Sequence, residues 1–249
     1  MKMKKHFVGR ESYDPEQVGQ LCGRDEVKGI ILGDLFCQKR MFRNGIADLI
    51  LLTDQVLSSG KTVIYQAPLY VTSRNADEVA SVLNLMDGYG KESYVIVQDF
   101  GTAEMAACDC GSIRLIWGQL GRVRERRYSD DFLLFLKEKG FTGMETGDPD
   151  FAERLRSFGL VPFFNTAVLQ YQTLGRICYV EYQTGRCDPG LCHTGCLSLR
   201  AEHEEFEMTV DGYMLGKKYR PVPEQTLREI CAGQNAELIV RENINETGE

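Results

Sequence analysis

Residues 61–98, KTVIYQAPLYVTSRNADEVASVLNLMDGYGKESYVIVQ, hold one full unit of the pattern that recurs along the chain. Lys61 to Gln66 is a short run rich in β-branched and apolar side chains, which reads as a strand. Asp77 to Met86 reads as its helix, and Ser93 to Gln98 as the next strand. Short apolar runs alternating with amphipathic stretches are the signature of βα units on a parallel sheet.

The same rhythm extends in both directions. Upstream, His6 to Arg10 reads as a first strand, followed by a helix that ends at Cys22, with Asp14 as N-cap and Pro15 at its first position. Lys28 to Asp34 is a second strand, and Gly45 to Leu57 a helix with Ile46, Leu49, Ile50, Val56 and Leu57 at helical spacing. Downstream, a short helix near Ala103 to Ala107 precedes a strand at Ser112 to Trp117 and a helix at Asp130 to Lys139. Phe141 to Glu145 and Leu160 to Asn165 are two more strands, with a helix from Asp150 to Phe158 between them.

Seven strands with six helices imply an α/β fold of (β/α) barrel-like form, with seven or eight strands, either incomplete or closed irregularly by the tail. A doubly wound open sheet is the structural rival. Beyond residue 200 the pattern changes. Glu205 to Val210 and Tyr213 to Gly216 flank Asp211-Gly212, a hairpin signal. Pro221 to Cys231 reads as a C-terminal helix, Glu237 to Arg241 as a short strand, and Glu242 to Glu249 as a polar, flexible tail.

At 249 residues, with 43% apolar and 26% charged side chains, the composition is that of an ordinary globular chain, and a single domain is the default expectation. The net charge of -7 argues against DNA and anionic membranes as partners, because both demand a basic surface. No apolar run is long enough to span a bilayer, so a cytoplasmic protein without membrane insertion is expected. Nine cysteines are many for a reducing compartment and call for metal ligation, with some left as small buried hydrophobes.

The stretch Cys178 to Cys196 reads CYVEYQTGRCDPGLCHTGC. Cys178, Cys192 and Cys196 follow a C-x13-C-x3-C pattern, Cys187 lies between them, and Cys37, just after the second strand, is the natural fourth thiol. In a barrel, the loops after strands share one face, so cysteines remote in sequence meet there. Structural zinc usually draws close pairs such as C-x2-C, which the chain lacks. Scattered cysteines converging on one point suit a [4Fe-4S] cluster first, with zinc and unligated core cysteines as the alternatives.

The stretches ILGDLFCQKRMF, LSSGKTVIYQAPLYVT, VQDFG and LGRICYVEYQTGRC, with the C-x3-C, resemble the collagenase-like peptidase family U-thirty-two, in particular its UbiV-type branch. The resemblance implies a barrel-like fold that carries a [4Fe-4S] cluster on Cys37, Cys178, Cys192 and Cys196, with Cys187 as the alternative ligand. It further implies a part in oxygen-independent hydroxylation, with a related family member as heterodimer partner and a small-molecule substrate. The alternative is a non-catalytic electron-transfer or scaffold subunit. Where family members often show an acidic residue and an arginine, the chain reads Met144-Glu145-Thr146-Gly147-Asp148.

Peptidase chemistry is a poor fit. His6, His193 and His203 are the chain's histidines, and none stands in a zinc-protease H-E-x-x-H. Arg122, Arg124, Arg126 and Arg127 crowd the loop after the fifth strand and are candidates for binding an anion, against the plainer reading of a solvated loop. Asp34, Gln98, Asp99 and Glu145 fall at expected strand ends, where they either line a pocket or cap a loop. Cys108 and Cys110 read as packing residues, and Cys22 and Cys231 as core.

Overall fold

A computed structural model describes residues 7–9, 15–25, 27–33, 45–68, 71, 73, 76–90, 93–118, 128–165, 167–174, 200–203, 206–211, 214–221 and 237–241. The first part of the chain alternates β1 (Phe7–Gly9), α1 (Pro15–Cys22), β2 (Gly29–Gly33), α2 (Ile46–Ser58), β3 (Thr62–Gln66), α3 (Ala76–Tyr89) and β4 (Ser93–Val97). It continues through α4 (Phe100–Asp109), β5 (Arg114–Trp117), α5 (Asp130–Glu138), β6 (Phe141–Thr146), α6 (Pro149–Ser157) and β7 (Val161–Asn165). Then come β8 (Ala167–Leu174), β9 (Arg200–His203), β10 (Phe206–Asp211), β11 (Met214–Pro221) and β12 (Glu237–Arg241).

The parallel strands pair in the order β1-β12-β7-β6-β5-β4-β3-β2 and close on themselves, which gives the barrel-like α/β fold expected from the βα rhythm. The helix ends follow local chemistry. Ser129 accepts a hydrogen bond from Phe132 N at the start of α5, and Asp148 accepts from Asp150 N and Phe151 N at the start of α6. Pro149 sits at the first helical position of α6, where its missing N–H removes nothing from the helix.

Two apolar clusters lie on opposite faces of the sheet. Ile31, Ile64, Tyr94, Ile96, Ile116 and Phe163 come from strands alone and fill the barrel interior. The strand neighbours that point the other way, such as Ile30, Leu32, Val63, Tyr65, Val95, Val97, Leu115 and Trp117, pack with helix residues such as Leu52, Val56, Val82 and Leu136. Strands buried on both faces explain why the sequence runs are continuously apolar instead of alternating. Burying each interior isoleucine contributes about 1.5–3 kcal/mol.

One irregularity resets which side chains point inward. Leu115 pairs with Phe141 but Ile116 pairs with Gly143, so the register slips by one residue on β6. Phe141 and Met144 therefore both join the outer cluster, and Gly143 and Glu145 take the inner face. A Cβ on Gly143 would stand 2.1 Å from Val161 O and 2.7 Å from Phe163 Cε2. The interior phenylalanine occupies the space that a side chain at 143 would need.

The C-terminal part differs from the expectation in extent. β8, β11, β10 and β9 form an antiparallel sheet in that order. β10 and β11 pair antiparallel, as the turn signal between them implies, with Val210 opposite Leu215 and Asp211 opposite Met214. β11, however, continues to Pro221, because β8 offers it a second partner from Leu174 to Ala167. Pro221 thus ends a strand instead of opening a helix, and the rest of the expected helix to Cys231 lies outside the described residues. The expected strand at 237–241 is β12, and it enters the barrel wall between β1 and β7.

Candidate functional site at the C-terminal mouth of the barrel

Inside the barrel, every second residue of a strand faces the interior, and the stagger between neighbouring strands offsets their heights. Near the N-terminal ends of β4 and β5, Tyr94 pairs with Arg114, where Arg114 Nη1 donates to Tyr94 Oη at 2.6 Å and the guanidinium lies 5.2 Å from the ring centroid. Ile31, Ile64, Ile96, Ile116 and Phe163 complete the apolar interior. Toward the C-terminal ends of β2 to β6 the inner positions change character. They are Gly33, Gln66, Gln98, Gly118 and Glu145.

Gln66, Gln98 and Glu145 are buried to 0%, 4% and 1% exposure. Polar side chains this deep cost free energy unless they are hydrogen-bonded. Gln66 Nε2 donates to Ala67 O at 3.0 Å. The two glycines make room for the two glutamines. At Gly33, φ is +127°, and a Cβ would stand 2.3 Å from Gln66 O. At Gly118, a Cβ would stand 2.5 Å from Gln98 Cγ. A larger residue at Gly33 would run into the β3 backbone, and one at Gly118 would push the Gln98 side chain aside.

The turn after β6 holds Glu145 in place. Thr146 Oγ1 accepts from Asp148 N at 3.0 Å, and Asp148 Oδ1 accepts from Asp150 N at 3.0 Å. Asp148 is therefore a helix cap. Asp99 also caps: its Oδ1 accepts from Thr102 N at 2.8 Å, which starts α4 at Phe100, earlier than the sequence reading places it. Of the four strand-end residues singled out in the sequence, Gln98 and Glu145 belong to the inner layer, Asp99 is a cap, and Asp34 lies outside the described residues. Gln66 is an addition. Its signal was present, since KTVIYQ ends as SYVIVQ does.

The expected cluster ligands Cys37, Cys178, Cys192 and Cys196, the alternative Cys187, and Arg122, Arg124, Arg126 and Arg127 all lie outside the described residues. So does Cys231. The described strands fix where the cysteine-bearing segments attach. Residues 34–45 leave the C-terminal end of β2, and residues 175–199 join β8 to β9. Cys178, expected in the loop beyond β7, is separated from it by β8, which starts two residues past Asn165.

The described cysteines behave as small side chains. Cys22 is half-buried and packs against the outer cluster, as does Cys110. Burial, aided by Asp87 and Asp109, pushes the Cys110 thiol up to about 11. Cys108 is exposed and donates to Glu104 at 3.4 Å, a bond that holds its thiol above the ordinary cysteine value. Glu104 also pairs with Lys139 at 2.7 Å, and that bond holds its carboxylate below the ordinary value. Among the described residues, no group of three or more histidine, cysteine, aspartate or glutamate side chains is placed to hold a metal ion. Nor is any described helix long and apolar enough to cross a membrane.

These features define a class, a (β/α) barrel-like protein with a buried polar layer at the C-terminal end of its strands. No protein-family model and no curated protein matches the chain. Among solved structures it is similar to the GH99 endo-alpha-mannosidase from Bacteroides thetaiotaomicron, with a TM-score of 0.45 and 11% identity over 94% of this chain and 68% of that one.

Proposed function

We propose that the chain is an iron–sulfur protein that holds a [4Fe-4S] cluster through Cys37, Cys178, Cys192 and Cys196 at the C-terminal end of an eight-strand barrel, with Cys187 as the alternative ligand. The observation that supports it is topological. β2, which precedes Cys37, and β7, which leads into the cysteine-bearing sheet, are parallel and separated only by β12 and β1 in the wall. Three strand spacings amount to about 14 Å along that wall. The link from Gly33 to Cys37 can span a similar ~13–14 Å when extended. The segment bearing Cys37 and the path through β8 to the other thiols thus both start from the C-terminal ends of neighbouring staves, which supports a shared site.

A bound cluster of this type would supply one-electron transfer. In this reading the protein is the iron–sulfur component of an oxygen-independent hydroxylation, working beside a related chain, with a small-molecule substrate. Arg122, Arg124, Arg126 and Arg127 are its candidate anion-binding residues.

The test is anaerobic purification followed by iron and acid-labile sulfide assay with an absorption spectrum. About four irons and four sulfides per chain are expected, and Cys37→Ser should lose most of both. Colourless protein that contains zinc or no metal would sink the proposal. Full iron content in Cys37→Ser, with loss in a Cys187 variant, would move the fourth ligand to Cys187.

A further inference from the structure

The polar layer at the mouth contains a group that no described residue satisfies. Gln98 is 4% exposed, and its Nε2 amide has no acceptor among the described residues. An amide donor shielded from water without a partner destabilises the fold, so native interiors keep one where something else supplies the acceptor. The shielding also means that a hydrogen bond formed there is not weakened by competing water.

The surrounding backbone is built to hold that amide in place. Val97 pairs with Trp117, and Trp117 with Met144. Gly118 N continues the ladder by donating to Val97 O at 2.8 Å. One residue further, Gln98, Gly118 and Glu145 stand side by side on the inner face of β4, β5 and β6. Gly118 contributes no side chain, and a Cβ there would lie 2.6 Å from Gln98 Nε2. The carboxamide therefore lies over the glycine, in the gap between β4 and β6. Two strand spacings separate the Gln98 and Glu145 backbones by about 10 Å, a span that the two side chains and one small bridging group fill.

The geometry points to this mouth as a binding site for a small, uncharged, hydroxyl-bearing molecule whose oxygen accepts from Gln98 Nε2 and whose hydroxyl donates to Glu145. A hydroxyl group can do both. Glu145 supplies the ionisable side chain of the described layer, which works against an anion there. The site stands on β4, β5 and β6, whereas the cysteine-bearing segments leave β2 and β8, so it does not depend on the cluster.

Thermal melts of the full chain test it, with glycerol, myo-inositol and D-glucose titrated over a millimolar range, and acetate and succinate as anionic comparisons. Gln98→Leu is expected to melt about 2–4 °C above the wild type without ligand, because the orphan amide is gone. One of the three polyols is expected to raise the wild-type midpoint saturably, and that rise is expected to be lost in both Gln98→Leu and Glu145→Gln. Four results each overturn the proposal. They are a lower midpoint for unliganded Gln98→Leu, no saturable shift with any of the three polyols, a shift with the anions alone, and a shift that survives in Gln98→Leu. Iron content measured on the same samples separates these outcomes from a failure of the cluster reading.

Discussion

Gln98 and Glu145 stand out in the sequence only as polar residues that end apolar runs. What makes them neighbours is the glycine between them and the slipped register on β6, where Ile116 faces Gly143 and Phe141 turns outward. Neither can be counted off from residue numbers, since a slip of one residue exchanges the two faces of a strand. The cysteines divide at this scale too. Cys110 is held as a neutral thiol by burial and nearby carboxylates, and its pKa is raised to about 11. The sign follows directly: a raised value keeps the nucleophilic thiolate scarce until the pH approaches that value. Alkylation of Cys110 by iodoacetamide, followed by peptide mass spectrometry, is thus expected to be slow at pH 8 and to accelerate up to about pH 11. In the denatured chain the rise should come near the ordinary cysteine value. Rapid labelling of folded protein at pH 8 would contradict the burial.

The elements of the wall were legible because each is specified by its own residues. β3, α3 and β4 fall where apolar runs and helical spacing place them, and α6 begins at the aspartate–proline pair that caps and opens it. The helix ends carry measurable stability. Ser129 is the N-cap of α5, a helix whose Leu133 and Leu136 are buried. Ser129→Ala is expected to cost about 1 kcal/mol, read as a lower urea midpoint with unchanged slope. A change in slope instead would mean that α5 docks independently of the rest. β8 escaped the sequence reading for a physical reason. Its partner β11 begins at Met214, some forty residues beyond the end of β8, and a strand that pairs at such a distance carries no local turn signal to announce it.

At the scale of the whole molecule, the barrel is closed by a strand from the far end of the chain. β12 pairs in parallel with both β1 and β7, and the antiparallel sheet β8-β11-β10-β9 is inserted before it. Without β12, the edges of β1 and β7 would expose unpaired backbone N–H and C=O groups. A chain ending at residue 236 is therefore expected to lose its cooperative melting transition or to melt more than about 10 °C lower, and to form larger species in size-exclusion chromatography. An unchanged melt and a monomeric profile would show that β12 contributes nothing to closure.

The amino-acid sequence by itself determined the βα rhythm, the barrel-like class and the turn signal around residue 211, since periodicity and turns are properties of neighbouring residues; the one N-cap read from it, Asp14, lies outside the described residues. Its cysteine pattern and family resemblance also supply the iron–sulfur proposal. Only the tertiary structure decided that residues 237–241 form a stave between β1 and β7, and that Gln66, Gln98 and Glu145 lie buried near the C-terminal ends of their strands. Those facts depend on pairing between segments far apart in the chain, and on a one-residue slip that local sequence does not encode.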